Sequence, residues 1–327
     1  MSIEETPRGK ISLYGAGGAG INLVSSWNDA HNDHATGQAL LQVSYVDTSK
    51  SNLPASVNPE TVYVLDGVDG SGKIRSENHV EISRNIRSVL QKHAPGDLSV
   101  VVFSASGGSG SVFGPLLMAE LISTGNPVVG VVVGSEESKI TTENTLKTLK
   151  TLEHIAQSKG VPVVISYHHN KAGTKRSDND KAARRVMATL SVLASRRNTA
   201  LDTKDIANWL EYTRVAPAIK PQLSLLHVYD QIDDVQNATR PISIAALLKD
   251  PDEPTFDVPC EYETTGYPKN WPDGFNQLFF VINVDGVPVV EKMVKDRLEG
   301  LEKASASRVT RDSMVDGKDN IVGDLIL

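Results

Sequence analysis

The sequence contains one cysteine, Cys260, in 327 residues. That excludes an internal disulfide and a zinc site built from cysteines, and it fits a chain that works in a reducing cytosol. No apolar run reaches the length of a membrane span. An excess of positive charge is also missing. The formal net charge is −7, so broad attraction to nucleic acid or to anionic lipid is not expected. The first ten residues are polar, mixed in charge and followed at once by a strand pattern, which does not read as a signal peptide. Neither an internal repeat nor a low-complexity segment is found. What remains is an ordinary globular composition, 39% hydrophobic and 22% charged, with length enough for one large α/β domain and a smaller one.

Apolar runs alternate with helical patterns. Strands are predicted at Lys10–Tyr14, Leu41–Val46, Thr61–Leu65, Ser99–Phe103, Val128–Val133 and Val161–Tyr167. Between them, apolar residues recur at helical spacing, as in Ile82, Ile86, Val89 and Leu90. A short helix over Ile21–Trp27 and a long one over Asp180–Arg197 are expected, the latter followed by a loop at Asn198–Thr203 and a helix over Lys204–Tyr212. Such alternation predicts a Rossmann-like, mostly parallel sheet with helices on both faces. Ligands on these sheets bind at the carboxyl ends of the strands. Further on, strands at Leu223–Val228 and Leu278–Val284 flank a Pro-rich acidic connection, and a helix is expected from Val289 to Ala306. The division that follows is residues 1–178, a nucleotide-binding domain; 179–205, a central helix and loop; 206–300, a smaller mixed α/β domain; and 301–327, a helix end and acidic tail.

Three glycine loops carry the chemistry. Gly15, Gly17 and Gly20 satisfy G-x-G-x-x-G after a strand, with Asp47 ending the next strand; alone, that is a dinucleotide fingerprint of low specificity. Gly67 to Gly72-Lys73 fits most of a Walker pattern, but Ile74 stands where the magnesium-holding Ser or Thr belongs, and a solvated turn is the simpler reading. The third loop, Ser106-Gly107-Gly108-Ser109-Gly110-Ser111, follows an apolar strand and opens a helix. Backbone N–H groups in such loops, with the positive end of the following helix, hold phosphate oxygens. A dehydrogenase needs one loop of this kind, whereas a triphosphate outside the Walker folds can use two.

The third loop, with Val112-Phe113-Gly114-Pro115 behind it, resembles the phosphate-gripping signature of the tubulin/FtsZ superfamily, and the resemblance is nearest to phage-encoded tubulins of the PhuZ type. It runs strongly over about residues 10–212, includes the run Asn144–Leu149, and weakens beyond. The resemblance implies GTP/GDP with Mg²⁺ as cofactors and assigns roles by position. Gly17, Gly18, Ala19, Gly20 and Asn22 match the first nucleotide loop, and Asp47 and Thr48 the loop after the second strand. Gly70 and Gly72 occupy the γ-phosphate loop, together with Lys73 and Arg75 as further candidates, although the sequence departs there from the glycine-rich FtsZ form. Asn170 matches the reader of the guanine edge, Asn179 or Asp180 the contact to the base from the central helix, and Glu143 the ribose contact.

Asp202 and Asp205 stand three apart after the long helix. Taken alone, Asp-x-x-Asp reads as helix capping. The resemblance implies instead that the pair enters the neighbouring subunit's site and polarises the attacking water, so that hydrolysis is coupled to a head-to-tail homopolymer. Arg311 to Leu327 carry Asp312, Asp316, Asp319 and Asp324 with an apolar end, a tail suited to docking on a neighbour. The adjacent His168 and His169 point to opposite faces of a strand, are poorly placed to share a metal, and read as pocket-edge or surface residues. The resemblance further implies a filament in the cytoplasm of an infected bacterium, positioning phage DNA, capsids or a replication compartment, with no direct contact to nucleic acid or membrane. Two other functions compete: an NAD(P)-dependent oxidoreductase using the first loop, and a GTP-binding structural filament with little hydrolysis.

Overall fold

The computed structural model describes residues 7–29, 37–252, 256–271, 274–306, 313–315, 318, 321–322 and 325–326. The tail residues Arg311, Asp312, Asp316, Asp319, Asp324 and Leu327 lie outside them.

The apolar runs form the strands they predict. β1 (Lys10–Ala16), β2 (Leu40–Asp47), β3 (Val62–Val64), β4 (Leu98–Ser104), β5 (Val128–Ser135) and β6 (Val163–Asn170) pair in the order β3-β2-β1-β4-β5-β6, all parallel. β5 is buried at every position, as a strand covered on both faces must be. Along β4 the side chains alternate between two cores. Val100 and Val102 face one cluster with α1 (Gly17–Asn28) and α5 (Arg176–Leu193). Val101 and Phe103 face the other, with α2 (His79–Lys92), α3 (Gly110–Ser123) and α4 (Lys139–Lys159).

The second half extends this same sheet. β8 (Leu223–Tyr229) pairs in parallel with β6, and β11 (Leu278–Asn283) then reverses the polarity. β9 (Ser243–Leu247), β10 (Tyr262–Pro268) and β7 (Asn198–Thr199) follow outward, giving eleven strands in one sheet. α6 (Thr203–Leu210) is fastened to these strands by Trp209, whose indole N–H donates to the Phe280 carbonyl at 3.1 Å. Ser243 Oγ donates to the Trp209 carbonyl at 2.8 Å. A small third core gathers Val235 of α7 (Ile232–Gln236) with Phe256 and Phe279. The chain then enters α8 (Gly286–Ala306).

Several boundaries differ from the sequence reading. β7 lies inside the segment expected to be loop, because its two residues find a partner in β10. β9 and β10 have little strand character of their own and are drawn into register by β11 and by each other. α1 starts at Gly17, α8 at Gly286 and α5 at Arg176, so Asn179 and Asp180 sit within the first turns of α5 and do not open it. β6 runs on to Asn170, which ends the strand. His169 is half-buried beside Asn170 at the edge of the sheet's carboxyl end; its ring joins Tyr167 Oη at 2.9 Å and Glu136 Oε2 at 3.1 Å.

Gly20 is where α1 meets the sheet. A Cβ there would stand 2.1 Å from the Val102 carbonyl oxygen, well inside contact distance. Gly20→Ala is therefore expected to push α1 off β4 and to destabilise the fold by about 1–3 kcal/mol. A fall in the urea midpoint without change in slope checks this.

Candidate functional site

At the carboxyl ends of β1, β2, β4, β5 and β6 lies a cleft of about 700 Å³. That is a normal volume for a small-molecule site. Its walls come from the places where strands turn into helices, and the local sequence explains why they are open. α4 and α6 begin with capping boxes that consume their first N–H groups. α1 and α3 have no side-chain cap. Their free N–H groups and positive ends are available to an anion.

Those two helix starts touch each other. Gly17 has φ +70°, and a Cβ on it would lie 2.6 Å from the Gly110 backbone nitrogen. A Cβ on Gly110 would in turn lie 2.7 Å from the Ala16 carbonyl oxygen. Only glycine at both positions lets the first and third loops close into one surface. Gly107 has open space where a Cβ would stand, so its backbone faces the cleft without obstruction.

Neutral hydrogen bonds fix the loops. Ser109 Oγ pairs with Thr48 Oγ1 at 2.5 Å and with Ser71 Oγ at 3.1 Å, so one hydroxyl ties together the second, middle and third loops. Ser111 Oγ donates to the Gly107 and Gly108 carbonyls at 2.7 and 2.9 Å. Asn144 Nδ2 donates to the carbonyls of Lys73, Ser106 and Gly107 at 2.8, 3.1 and 3.3 Å. Arg75 turns away from the cleft, donating to Thr148 Oγ1 at 2.5 Å. Asp47 is buried; burial pushes its carboxyl above the ordinary range, against the hydrogen bonds it accepts from Thr48 N–H (2.7 Å) and Asn52 Nδ2 (3.1 Å).

Of the residues singled out in the sequence, Gly17, Gly18, Ala19, Asn22, Asp47, Gly70, Gly72, Lys73, Asn170, Asp180 and the run Ser106–Gly110 line this cleft. Gly20, Thr48 and Ser111 stand behind the lining and hold it. Asn179 also stands behind; its Nδ2 donates to the His169 carbonyl at 2.7 Å and to Asn170 Oδ1 at 2.8 Å. Glu143 lies in an adjacent groove beside Lys73 and Arg75, within ion-pair distance of Lys139 and Lys147. Sequence reading missed Ser71, Asn52, Asp69, Glu137, Arg176 and Arg184, which also line the cleft. Arg176, Asp180 and Arg184 recur every fourth residue along α5, so helical periodicity marks them as one stripe once Asp180 is placed. Arg176 forks onto Glu137 Oε1 and Oε2 at 2.5 and 2.7 Å.

Asp202 and Asp205 are elsewhere. α5 starts at the cleft and has 18 residues; at about 1.5 Å each it carries the chain roughly 27 Å away before the acidic pair. There the two carboxylates make a reciprocal capping box. Asp202 Oδ1 accepts from Lys204 N–H and Asp205 N–H at 2.7 and 3.1 Å, and Asp205 Oδ2 accepts from Asp202 N–H at 2.8 Å. Asp205 Oδ1 also accepts from Tyr262 Oη at 3.0 Å. The backbone N–H groups of Asp205 and Lys204 hold the Asp202 carboxyl below its ordinary range.

Residues 10–166 match the profile of the tubulin/FtsZ family GTPase domain, and residues 201–287 that of the phage tubulin-like protein C-terminal domain. A curated relative, a phage tubulin-like protein of Pseudomonas phage PhiPA3, is 31% identical over 319 residues, covering 96% of this chain and 98% of its own. Among solved structures, the protofilament of TubZ from bacteriophage PhiKZ superposes with a TM-score of 0.88 at 30% identity, covering 97% of this chain and 99% of that one. The phage tubulin PhuZ with GDP superposes with a TM-score of 0.87 at 29% identity and the same coverage.

The capping geometry generates a test of its own. Asp202→Ala removes the N-cap of α6 and is expected to cost about 1 kcal/mol at neutral pH, whereas Asp202→Asn keeps an accepting oxygen and costs little. Because the folded carboxyl titrates below the unfolded one, the stability it adds is fully present above about pH 4 and is lost as pH falls through the folded value. The gap between wild type and Asp202→Ala should therefore shrink in acid, as read by chemical denaturation at several pH values.

Proposed function

The chain belongs to the tubulin/FtsZ family, among its phage tubulin-like proteins, and from that membership we propose that it binds GTP in the cleft and hydrolyses it within a head-to-tail filament of its own copies. The observation that carries this reading is the closure of the Gly17–Gly18 and Ser106–Gly110 loops into one surface, with two uncapped helix starts behind it. A dehydrogenase uses one such loop for a dinucleotide; here the second loop occupies the ground beside it, and the first loop alone cannot account for the cleft.

The far end of the cleft suits guanine. Asn170 Oδ1 is engaged by Asn179, which leaves the Asn170 amide N–H groups to donate to the guanine carbonyl oxygen. Asp180 offers carboxylate oxygens to the ring and exocyclic N–H groups of the same edge. Adenine presents an acceptor and a donor in the opposite sense, so a carboxylate facing its ring nitrogen repels it. Asp180, not Asn179, is the residue we assign to the base. Glu143, in the adjacent groove, is supported less well as a ribose contact than the lining residues.

Mg²⁺ belongs with the triphosphate. Among the described residues no group of three acidic, His or Cys side chains gathers to hold an ion. Asp47, Asp69 and Ser49 supply hard oxygen atoms at the phosphate end of the cleft, which fits an ion carried mainly by phosphates and water. When bound it neutralises charge on the transferring phosphoryl group. The loop N–H groups share that task from fixed positions, at no cost of reorganisation during reaction.

The water-activating group has to come from another copy. Within one chain the acidic pair stands at the far end of α5, roughly 27 Å from the cleft by helix rise. A head-to-tail neighbour brings its Asp202 and Asp205 to the phosphates, and a contact of this kind that does not close into a ring propagates as a filament. Both Asp205 oxygens already accept hydrogen bonds, while Asp202 Oδ2 has no partner among the described residues. Asp202 therefore orients the water and Asp205 holds it in place. The 1–178, 179–205 and 206–300 regions act as nucleotide holder, spacer and delivering surface, and residues 301–327 supply a tail that docks on a neighbour. In the cytoplasm of an infected bacterium such filaments would position phage DNA, capsids or the replication compartment.

Light scattering and phosphate release in one sample test this reading. A GTP-specific rise above a critical concentration, with hydrolysis only there, is expected. Scattering without phosphate release would make the filament a passive one, and binding of NADH without response to GTP would return the first loop to the dehydrogenases. Asp202→Asn should assemble with GTP yet turn over at least about 100-fold more slowly. Asp180→Asn exchanges acceptor for donor and should favour xanthosine over guanosine triphosphate by about tenfold or more, the worth of one charged hydrogen bond, read by competition binding.

A further inference from the structure

We propose that Arg297, on α8, is a positioning residue for the nucleotide cleft, so that nucleotide occupancy and the docking of α8 are linked. This deepens the reading of the cleft as a guanine-nucleotide site and rests on it.

The link runs through Glu136. Its two neighbours in sequence, Ser135 and Glu137, both line the cleft, and Glu136 between them does not. Instead it is tied on three sides. Its N–H donates to the Asn170 carbonyl at 3.4 Å. Its carboxylate accepts from His169 Nε2 at 3.1 Å and from Ala172 N–H at 3.3 Å. Its carbonyl oxygen accepts from Arg297 Nε at 3.2 Å, across 161 positions of sequence. Asn170 and Glu137 are themselves parts of the cleft wall, and Glu137 carries Arg176 on its carboxylate. The residue to which Arg297 donates is thus the residue that spaces Ser135, Glu137 and Asn170. A shift of α8 that pulls on the Glu136 carbonyl moves all three.

α8 also buries a small share of its length. Of its 21 residues only Val294 is fully buried, and Val289 is 68% exposed. Val287 and Val290 are partly buried against α4 and its neighbours. Lys139 and Glu302, 3.7 Å apart, form an exposed pair of the kind that contributes little. Elements with few buried apolar contacts sit at the low-stability end of a fold and are the ones a small bias moves. A planar guanidinium on a backbone carbonyl fixes direction as well as distance. If nucleotide orders the Ser135–Glu137 segment, it presents Arg297 with a fixed acceptor. If α8 is docked, the segment is already ordered when nucleotide arrives. The two effects are the same free energy seen from two sites.

Hydrogen exchange on the full chain with and without GDP, beside titration with a fluorescent GDP, tests the proposal. In the wild type, GDP should slow exchange along 286–306 as well as around the cleft. Arg297→Ala should bind GDP about fivefold or more weakly, the lower end of ordinary coupling, and exchange in its α8 should no longer respond to GDP. Lys292→Ala, which removes an exposed charge on the same helix, should match the wild type in both measurements. Wild-type α8 exchange indifferent to bound GDP, or Arg297→Ala affinity within twofold of wild type, would overturn the coupling while leaving the nucleotide site intact. Should Arg297→Ala not fold, the wild-type exchange experiment still decides. A wild type that binds no guanine nucleotide removes the reading of the cleft and the coupling with it.

Discussion

The contact between Gly17 and Gly110 is the constraint on which the cleft depends. It brings the starts of α1 and α3 together with no side chain between them. Both helices then present unsatisfied N–H groups on the same side, and neither has a cap to compete with a ligand. Any Cβ at this contact would separate the loops and split one anion site into two poorer ones. The same economy of space continues at Gly20, where α1 lies directly on the β4 backbone. The glycines of the first loop therefore serve two purposes, with Gly17 and Gly18 at the cleft and Gly20 at the helix–sheet contact that holds the cleft in place.

Around that contact the loops are joined by hydroxyls and amides. Ser109, Ser111, Thr48 and Asn144 each bond to a loop other than their own or fold their own loop tightly. Neutral ties of this kind fix geometry without adding charge that would compete with a phosphate for the N–H groups. Charge also lies along the α5 stripe of Arg176, Asp180 and Arg184, with Arg176 paired to Glu137. The glycine loops of the cleft are thus held by neutral bonds, while its α5 wall is charged.

α5 then sets the distance over which the chemistry is divided. Its first turns belong to the cleft, and its far end delivers the acidic pair to the opposite side of the molecule. A rigid helix cannot bring both to one phosphate, so in the proposed mechanism each end of the chain supplies half of a hydrolytic site. The pair also caps α6, and the two roles are compatible because capping uses one Asp202 oxygen and leaves the other exposed.

The sequence by itself determined the parallel sheet, the position of the cleft at its strand ends and the glycine loops that line it, because these follow from apolar runs and from glycine, whose backbone freedom is a local property. The third loop was legible for the same reason, whereas Asn170 was singled out only by the family resemblance. Tertiary structure decided the rest. β7, β9 and β10 are strands only because partners across the sheet supply their hydrogen bonds. That Asp180 lines the cleft and Asn179 stands behind it follows from the fold, since one residue of rotation along a helix changes the direction of a side chain by about 100°. Ser71 and Asn52 carry no signal in their own neighbourhood; they reach the cleft because segments far apart in sequence fold over it. The separation of Asp202 and Asp205 from the cleft, and the grip of Arg297 on Glu136, are long-range geometry, which no spacing in a one-dimensional chain encodes.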